Sequence, residues 1–308
     1  MGKFLQKGLL FFAIVVICTT ASVFSIIELN RIMFRRIIIE DNVHTLIMGD
    51  SHTIFGINDS LFRNTRNLSR TAEGYIFSYL KLKNILDSNP QINRIILGVS
   101  FHNFSSYYDE YIYGKDSYSS ISKCIALIDY PDLIKLLKME MSMSNIRSTL
   151  QYSFKNILNY KKGEYPFIGN TNISKTSVRT SHNTIMKTIN DQYYSSGKPD
   201  TISAINVFYL NKIVDLCRTK NIEIIFLNMP LYAEYFNKIP LNIINHYNAS
   251  IEKFDVVAIN LNNLKFPEDY FFPDGEHLSY KGAVIASEFL AKSLNDKVFF
   301  SSGTKNPN

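Results

Sequence analysis

Val43-His44-Thr45-Leu46-Ile47-Met48-Gly49-Asp50-Ser51-His52 is a short apolar run that breaks off in a polar turn. Val43 to Met48 reads as a buried β-strand that stops at Gly49. A strand that ends at glycine and turns into a helix holds Ser51 at the helix N-terminus. There its hydroxyl is exposed, and neighbouring backbone N–H groups can stabilise an oxyanion. Outward from this point the same alternation repeats. Arg66-Asn67-Leu68-Ser69 is a weaker second strand, and Tyr75 to Leu86 places Ile76, Leu80, Leu82 and Ile85 at helical spacing. Arg94 to Val99 is a third strand, Ile222 to Leu227 a fourth, stopped by Pro230, and Val256 to Leu261 a fifth. Residues 202 to 219 form an amphipathic helix, and Ser279 caps a last one that runs to about Leu294. Strands alternating with helices predict a three-layer α/β/α domain around a mainly parallel, five-stranded sheet.

The stretch from about 105 to 200 breaks this rhythm. It is rich in Tyr, Ser, Asn and Lys, with one helical section near Pro131 to Met143, and reads as an insertion: a lid, a substrate-facing subdomain or a surface elaboration. Residues 1–41 read as a membrane anchor and neck, 42–300 as the catalytic domain, and 301–308 as a disordered tail.

The anchor rests on Gly8 to Ile27, an uncharged run about as long as a helix needs to cross a bilayer. Lys3 and Lys7 precede it, and Arg31, Arg35 and Arg36 follow as membrane-flanking charges. A cleaved signal peptide is the rival, but the small-x-small cleavage pattern is poorly represented, and Ile17 before Cys18 is too bulky for a lipoprotein signal. The three cysteines, Cys18, Cys124 and Cys217, form no disulfide framework. With 19% charged and 46% hydrophobic residues the 308-residue chain is globular in composition, and its +6 net charge is scattered. Nothing in it has zinc-finger spacing, a phosphate-binding loop or a nucleic-acid motif, so nucleic acid is not an expected partner.

Three segments fall where strands end, which is where open α/β sheets place their sites. The first is Gly49-Asp50-Ser51-His52. The second is Asp274-Gly275-Glu276-His277, just before the last helix. A spacing of three lets one turn set the Asp274 carboxylate against an imidazole nitrogen of His277, which fixes the tautomer and frees the other nitrogen as a base. The third is Gly98-Val99-Ser100-Phe101-His102-Asn103, whose polar groups could complete an oxyanion hole. Taken singly, Gly-Asp-Ser is ordinary turn chemistry, and Asp-x-x-His before a helix can be a cap. Occurring together, one ending the first strand and the other preceding the last helix, they point to a catalytic triad. A metal held by His52, His102 and His277 is disfavoured by irregular spacing. Asp50 reads as a hydrogen-bond acceptor for its turn, and no cofactor is expected. Asn228 to Tyr232 ends the fourth strand close to the site, where strand-end packing is its default role.

These motifs resemble the SGNH (GDSL-type) hydrolase superfamily, whose first block is GDS and whose last is DxxH. The resemblance covers about Val43 to Leu294, less the insertion, and implies a flavodoxin-like fold. Within it, the GDSH form on a single anchor resembles cell-envelope acyl-transfer proteins: the D-alanine transfer protein of teichoic acid operons and the alginate O-acetylation proteins. Carried over, the resemblance makes Ser51 the nucleophile, His277 the base and Asp274 its orienting partner. The second block offers a backbone N–H from a glycine, a role that falls to Ala72 or Gly74. The third is normally Gly-x-Asn-Asp; here Ser100 stands two after Gly98, and the nearest asparagine is Asn103. The resemblance thus implies a membrane-tethered serine acyltransferase or esterase, with a polysaccharide or glycan acceptor and a multi-spanning membrane acyltransferase as partner. The altered third block leaves a second class open, a non-catalytic carbohydrate-binding or assembly subunit.

Overall fold

The computed structural model describes residues 2–138, 143–161, 163–169 and 180–296. The expected tail at 301–308 lies outside them. Five strands, β1 (Thr45–Met48), β2 (Thr65–Asn67), β3 (Arg94–Gly98), β4 (Glu223–Asn228) and β5 (Val257–Asn260), form one all-parallel sheet in the order β2-β1-β3-β4-β5. The strands can be parallel because both faces are buried in apolar side chains. Leu46 and Met48, Ile95 and Leu97, and Ile224 and Phe226 enter one core, while Ile47, Ile96, Ile225 and Leu227 enter the other. This period-two partition is the alternation of a strand with two apolar layers to fill. The predicted strands are all present, with ends shifted by one or two residues. The weak second strand stops at Asn67, where the Leu68 carbonyl accepts from Lys81 Nζ instead of continuing the ladder to β1.

Helices cover both faces. α1 (Gly2–Phe34) precedes the sheet; α2 (Ser51–Gly56) leaves β1, and α3 (Tyr75–Ser88) joins β2 to β3. Between β3 and β4 lie α4 (Ser117–Cys124), α5 (Tyr130–Lys138), α6 (Met143–Leu158), α7 (His182–Tyr193) and α8 (Ala204–Thr219). The short α9 (Ala233–Phe236) and α10 (Leu241–Phe254) follow β4, and α11 (Tyr280–Asp296) closes the chain of described elements. α11 brings Ala283, Ala286 and Leu290 to the second core, and Ser279 Oγ accepts from Gly282 N at its start, as the cap the sequence predicts.

The strand order reverses between β1 and β3, so the loops after these two strands diverge to opposite faces and leave a crevice at their carboxyl ends. Both strand ends are glycine for a steric reason. A Cβ on Gly49, whose φ is +148°, would lie 2.7 Å from Thr53 Oγ1, and one on Gly98 would lie 2.6 Å from Thr53 Cγ2. Thr53 of α2 therefore packs directly on both strand ends, and Ser51 lies two residues before it at the start of the same helix.

α1 departs from the expected anchor and neck. The helix runs unbroken through Glu28 to Phe34, and its last third is docked on the segment between β3 and β4. Asn30 Nδ2 donates to Ser153 O (3.1 Å), Arg31 donates to Ile128 O (2.7 Å), and Arg31 also lies 3.9 Å over the Tyr130 ring. Arg31 is thus a buried docking residue rather than a free membrane flank. Residues 3–22 are all exposed, and 20 residues of helix span about 30 Å, the thickness of a bilayer core. One described helix, Lys3–Phe34, is long and apolar enough to cross a membrane.

A buried ionic cluster fixes the loop after β2. Lys81 Nζ meets Glu73 Oε2 (2.9 Å), Leu68 O (2.5 Å) and Phe167 O (3.4 Å), while Arg70 Nε and Ser78 Oγ also bond Glu73, at 3.3 and 2.7 Å. Burial lowers the Lys81 ammonium's hold on its proton, and Glu73 opposes that.

Candidate active site

Asp50 is the hub of the first half of the site. Its Oδ1 accepts from His52 N (2.9 Å) and caps α2. Its Oδ2 accepts from His102 Nε2, Asn103 Nδ2 and Tyr108 OH, each at 2.7 Å. Burial would raise this carboxyl, but His102 and His52, with the His102 and Tyr108 hydrogen bonds, hold it well below the usual range. Asp50 is the acceptor expected, and it organises far more than its own turn.

Ser51 is half-buried as the first residue of α2. Phe55 lies four residues on, so the two share a face of the helix. The Phe55 ring stands edge-on to His277 at 5.6 Å between centroids, and the His52 ring lies 5.1 Å from the same imidazole. His52 and Phe55 of α2 therefore pack on His277, and helical spacing sets Ser51 on the side of the helix that carries Phe55.

His277 is held by its turn as the spacing predicts. Asp274 Oδ1 accepts from Glu276 N and His277 N, each at 3.0 Å, and Asp274 Oδ2 bonds His277 Nδ1, also at 3.0 Å. That leaves Nε2, which is buried and, among the described residues, has no hydrogen-bond partner. Burial weakens the imidazole's hold on a proton, but Glu276, Asp274 and Asp50 override it and lift His277 to about 9.

Glu276, one residue before His277, closes the cluster from below. Its oxygens accept from Gln192 Nε2 at 2.9 and 2.8 Å, from Tyr235 OH at 3.1 Å and from His52 Nε2 at 3.2 Å. Burial alone would raise Glu276, yet His277, His52 and His102 bring it far down. His52 is lowered by burial and by His102, against the pull of Glu276. Ligand atoms of His52, His102 and Glu276 do come within 4.8 Å of one another. His102 Nε2 is engaged by Asp50 and the Glu276 oxygens by three donor groups, while His52 Nδ1 has no hydrogen-bond partner among the described residues. The arrangement is that of a hydrogen-bonded cluster.

The expected oxyanion residues sort differently. Ser100 and Asn103 lie in the site's wall, both buried. Asn103 Oδ1 accepts from Ser100 N (2.8 Å) and Tyr75 OH (3.2 Å), and its Nδ2 donates to Asp50, so this side chain braces the cluster. Ala72 has a left-handed φ of +53°, and Gly74 caps α3 against Ile112 and Asn206. Within that block Arg70 N donates to Gly49 O (3.0 Å) at the end of β1, and Ser69 Oγ accepts from Thr53 Oγ1 (2.8 Å) of α2. Tyr232 N donates to Gly275 O (2.8 Å), which ties the end of β4 to the Asp274–His277 turn. Sequence reasoning gave no role to Glu276, Gln192 or Tyr235, and set Tyr108 among tyrosines that either pack against sugars or cover the surface, where the structure bonds it to Asp50; of the four only Glu276, inside the Asp274–His277 motif, carried a local signal.

No family model matches the chain, and no curated protein does. Solved structures similar to it include a protein provisionally named an acylhydrolase, from Bacteroides fragilis. It is 8% identical, with a TM-score of 0.38 over 82% of this chain and 87% of that one. Another, provisionally named a platelet activating factor, from Streptococcus pneumoniae, is 14% identical, with a TM-score of 0.39 over 94% of this chain and 99% of that one. At such scores the functional case rests on the residues alone.

Proposed function

We propose that the protein is a membrane-tethered serine acyltransferase or esterase that acts on cell-envelope polysaccharide through an acyl-serine. The observation that carries this reading is an Asp274-bonded His277 packed on α2, the helix that begins at Ser51, with its Nε2 free of hydrogen bonds among the described residues. His277 Nε2 takes the Ser51 proton as Oγ attacks an ester carbonyl. The tetrahedral intermediate collapses, and the imidazolium returns the proton to the departing oxygen. A sugar hydroxyl, or water, then attacks the acyl-serine with His277 again as base, and Ser51 is regenerated. Asp274 holds Nδ1–H throughout, so that Nε2 is the nitrogen free for proton transfer.

The exposed stretch of α1 supports attachment to a membrane, and the envelope chemistry proposed is the ground for an N-terminus inside the cytoplasmic membrane and residues from about 42 outside. Tethering favours transfer over hydrolysis, because it raises the effective concentration of a donor delivered at the membrane face, as a multi-spanning membrane acyltransferase would deliver it. The acyl group proposed is short, an acetyl. The deciding experiment is labelling by a serine-directed fluorophosphonate: attachment at Ser51, lost in Ser51→Ala, supports the enzyme, and an unlabelled, folded protein defeats it. A glycan acceptor that diverts acetyl from water separates transferase from esterase. A reporter fused after Phe300 and active only in the cytoplasm would overturn the topology.

One observation favours the second class, a non-catalytic glycan-binding or assembly subunit. The Asn103 amide is bonded to Asp50, and the carboxylates of Glu276, Asp274 and Asp50 lift His277 to about 9, which favours its protonated form at neutral pH. Glycan binding without labelling at any pH from 7 to 10 would establish that reading.

A further inference from the structure

Asp274 is not the only carboxylate on His277. Glu276 Oε1 stands 3.6 Å from the same Nδ1 that Asp274 Oδ2 bonds at 3.0 Å, while Glu276 Oε2 accepts from His52 Nε2 at 3.2 Å. His52 follows Ser51 directly, so one buried carboxylate bridges the residue beside the nucleophile and the imidazole of the base. The bridge is itself held from two further elements: Gln192 at the end of α7 and Tyr235 in α9, which are also hydrogen-bonded to each other. A glutamate that served only to fill space would not need three donor groups from three separate parts of the chain. Buried carboxylates are kept ionised by such partners, and an ionised carboxylate beside an imidazole favours its charged form.

We infer that Glu276 is a positioning residue: it aligns His52 and His277 across the crevice and sets how readily His277 releases its proton, and Gln192 and Tyr235 keep it in place. The inference rests on the proposed serine chemistry for its catalytic meaning, but its physical content does not. The groups facing His277 are Asp274 and Glu276 on its own turn, His52 and Phe55 on α2, and Asp50 at the end of β1, with His102 beyond His52. Removing the Glu276 charge leaves Asp274 bonded to Nδ1, so the tautomer is kept while the proton is released more easily. Asp274→Asn loses the tautomer instead, which separates the two carboxylates by experiment.

The test is Glu276→Gln in the full chain, read by the NMR titration of the His277 ring and by the pH dependence of kcat/KM on an activated acetyl ester. The expected result is a titration midpoint at least one pH unit below that of the unsubstituted protein, with the acid limb of the rate profile displaced equally. Tyr235→Phe, which removes one donor, shifts both in the same direction by less and covers the case in which Glu276→Gln does not fold. A merely structural glutamate would lower the plateau rate or the stability and leave the midpoint alone. A folded Glu276→Gln protein with an unmoved His277 midpoint overturns the inference. The titration needs no substrate, so an unlabelled Ser51 would sink the esterase reading while this measurement still decided the role of Glu276.

Discussion

Two clusters of charge are buried in this chain, one around Glu73 and one around Glu276, and they are completed differently. In the first, the three protons of the Lys81 ammonium meet Glu73 and the carbonyls of Leu68 and Phe167, and Arg70 and Ser78 fill the remaining approaches to Glu73. In the second, the carboxylates of Asp50 and Glu276 are equally well supplied, but His277 Nε2 and His52 Nδ1 are buried without partners among the described residues. Leaving a buried polar atom unbonded costs about 1–3 kcal/mol. A cluster that only braces a loop has every reason to avoid that cost. One that must accept a proton from Ser51 has to keep an acceptor open. Reactivity here is read from what is left unbonded within an otherwise saturated network.

The contrast breaks most sharply under substitution. Ser51→Ala should lower kcat by about 10³-fold or more with the melting temperature unchanged, since no described hydrogen bond depends on its hydroxyl. Asp274→Asn should cost a comparable factor through the wrong histidine tautomer. Lys81→Met should do the reverse. It strands Glu73 with Arg70 in the core and should cost about 3–5 kcal/mol of stability, measured by urea unfolding, with the remaining folded fraction catalytically normal. If Lys81→Met depressed turnover in the folded fraction as strongly as Ser51→Ala, the Glu73 cluster would belong to the site and the distinction would fail.

Much of this was legible in the sequence. The strands declared themselves because each must present apolar residues to two layers, and the turn of Asp274 and His277 because a spacing of three suffices to close it. Asp50 and Ser51 followed from where β1 ends. What stayed hidden depends on the distance along the chain. Tyr108 reaches Asp50 across 58 positions, and Gln192 reaches Glu276 across 84, from an aromatic and polar segment with no local pattern to mark either residue. The altered third block suggested a weakened oxyanion hole. In the structure Asn103 is instead a brace on Asp50, a role that spacing alone cannot reveal. The docking of α1 was missed because an apolar helix suits a bilayer and a protein surface alike, and the bonds of Asn30 and Arg31 decide which part meets which.

A smaller effect follows from acidity. A base lifted to about 9 is mostly protonated at neutral pH, so kcat/KM should rise about tenfold per pH unit from 7 and level off above 9. The sign for stability is opposite. The folded-state value lies above the ordinary 6.5, so His277's contribution is fully present below 6.5 and is lost as pH rises through about 9. Asp50 and Glu276 are depressed, so theirs is present at neutral pH and is lost as pH falls below the ordinary carboxylate range. Urea midpoints at pH 6, 8 and 10 should therefore fall while the rate climbs. A rate profile flat from 6 to 9 would show that the second carboxylate does not govern the base.

The smallest effect compares the clusters through one donor each. Tyr108→Phe deletes a 2.7 Å hydrogen bond to Asp50 Oδ2, and Ser78→Ala deletes a 2.7 Å bond to Glu73 Oε1. Each removes one neutral hydroxyl from an ionised carboxylate that keeps other donors, so each should cost about 1–2 kcal/mol of stability. Asp50 retains His102, Asn103 and the His52 N–H, and Glu73 retains Lys81 and Arg70, so neither carboxylate is left bare. The difference should show in rate. Asp50 caps the helix that carries Ser51, so a small displacement there reaches the nucleophile, and Tyr108→Phe should lower kcat several-fold. Glu73 braces a loop that meets the end of β1 through Arg70 N and α2 through Ser69 Oγ, neither of which bonds Ser78, and Ser78→Ala should leave kcat within error of the unsubstituted protein. Equal losses of stability with unequal losses of rate would locate the working half of the molecule at Asp50. Equal losses of both would mean that the loop after β2 is as much a part of the site as the turn before α2.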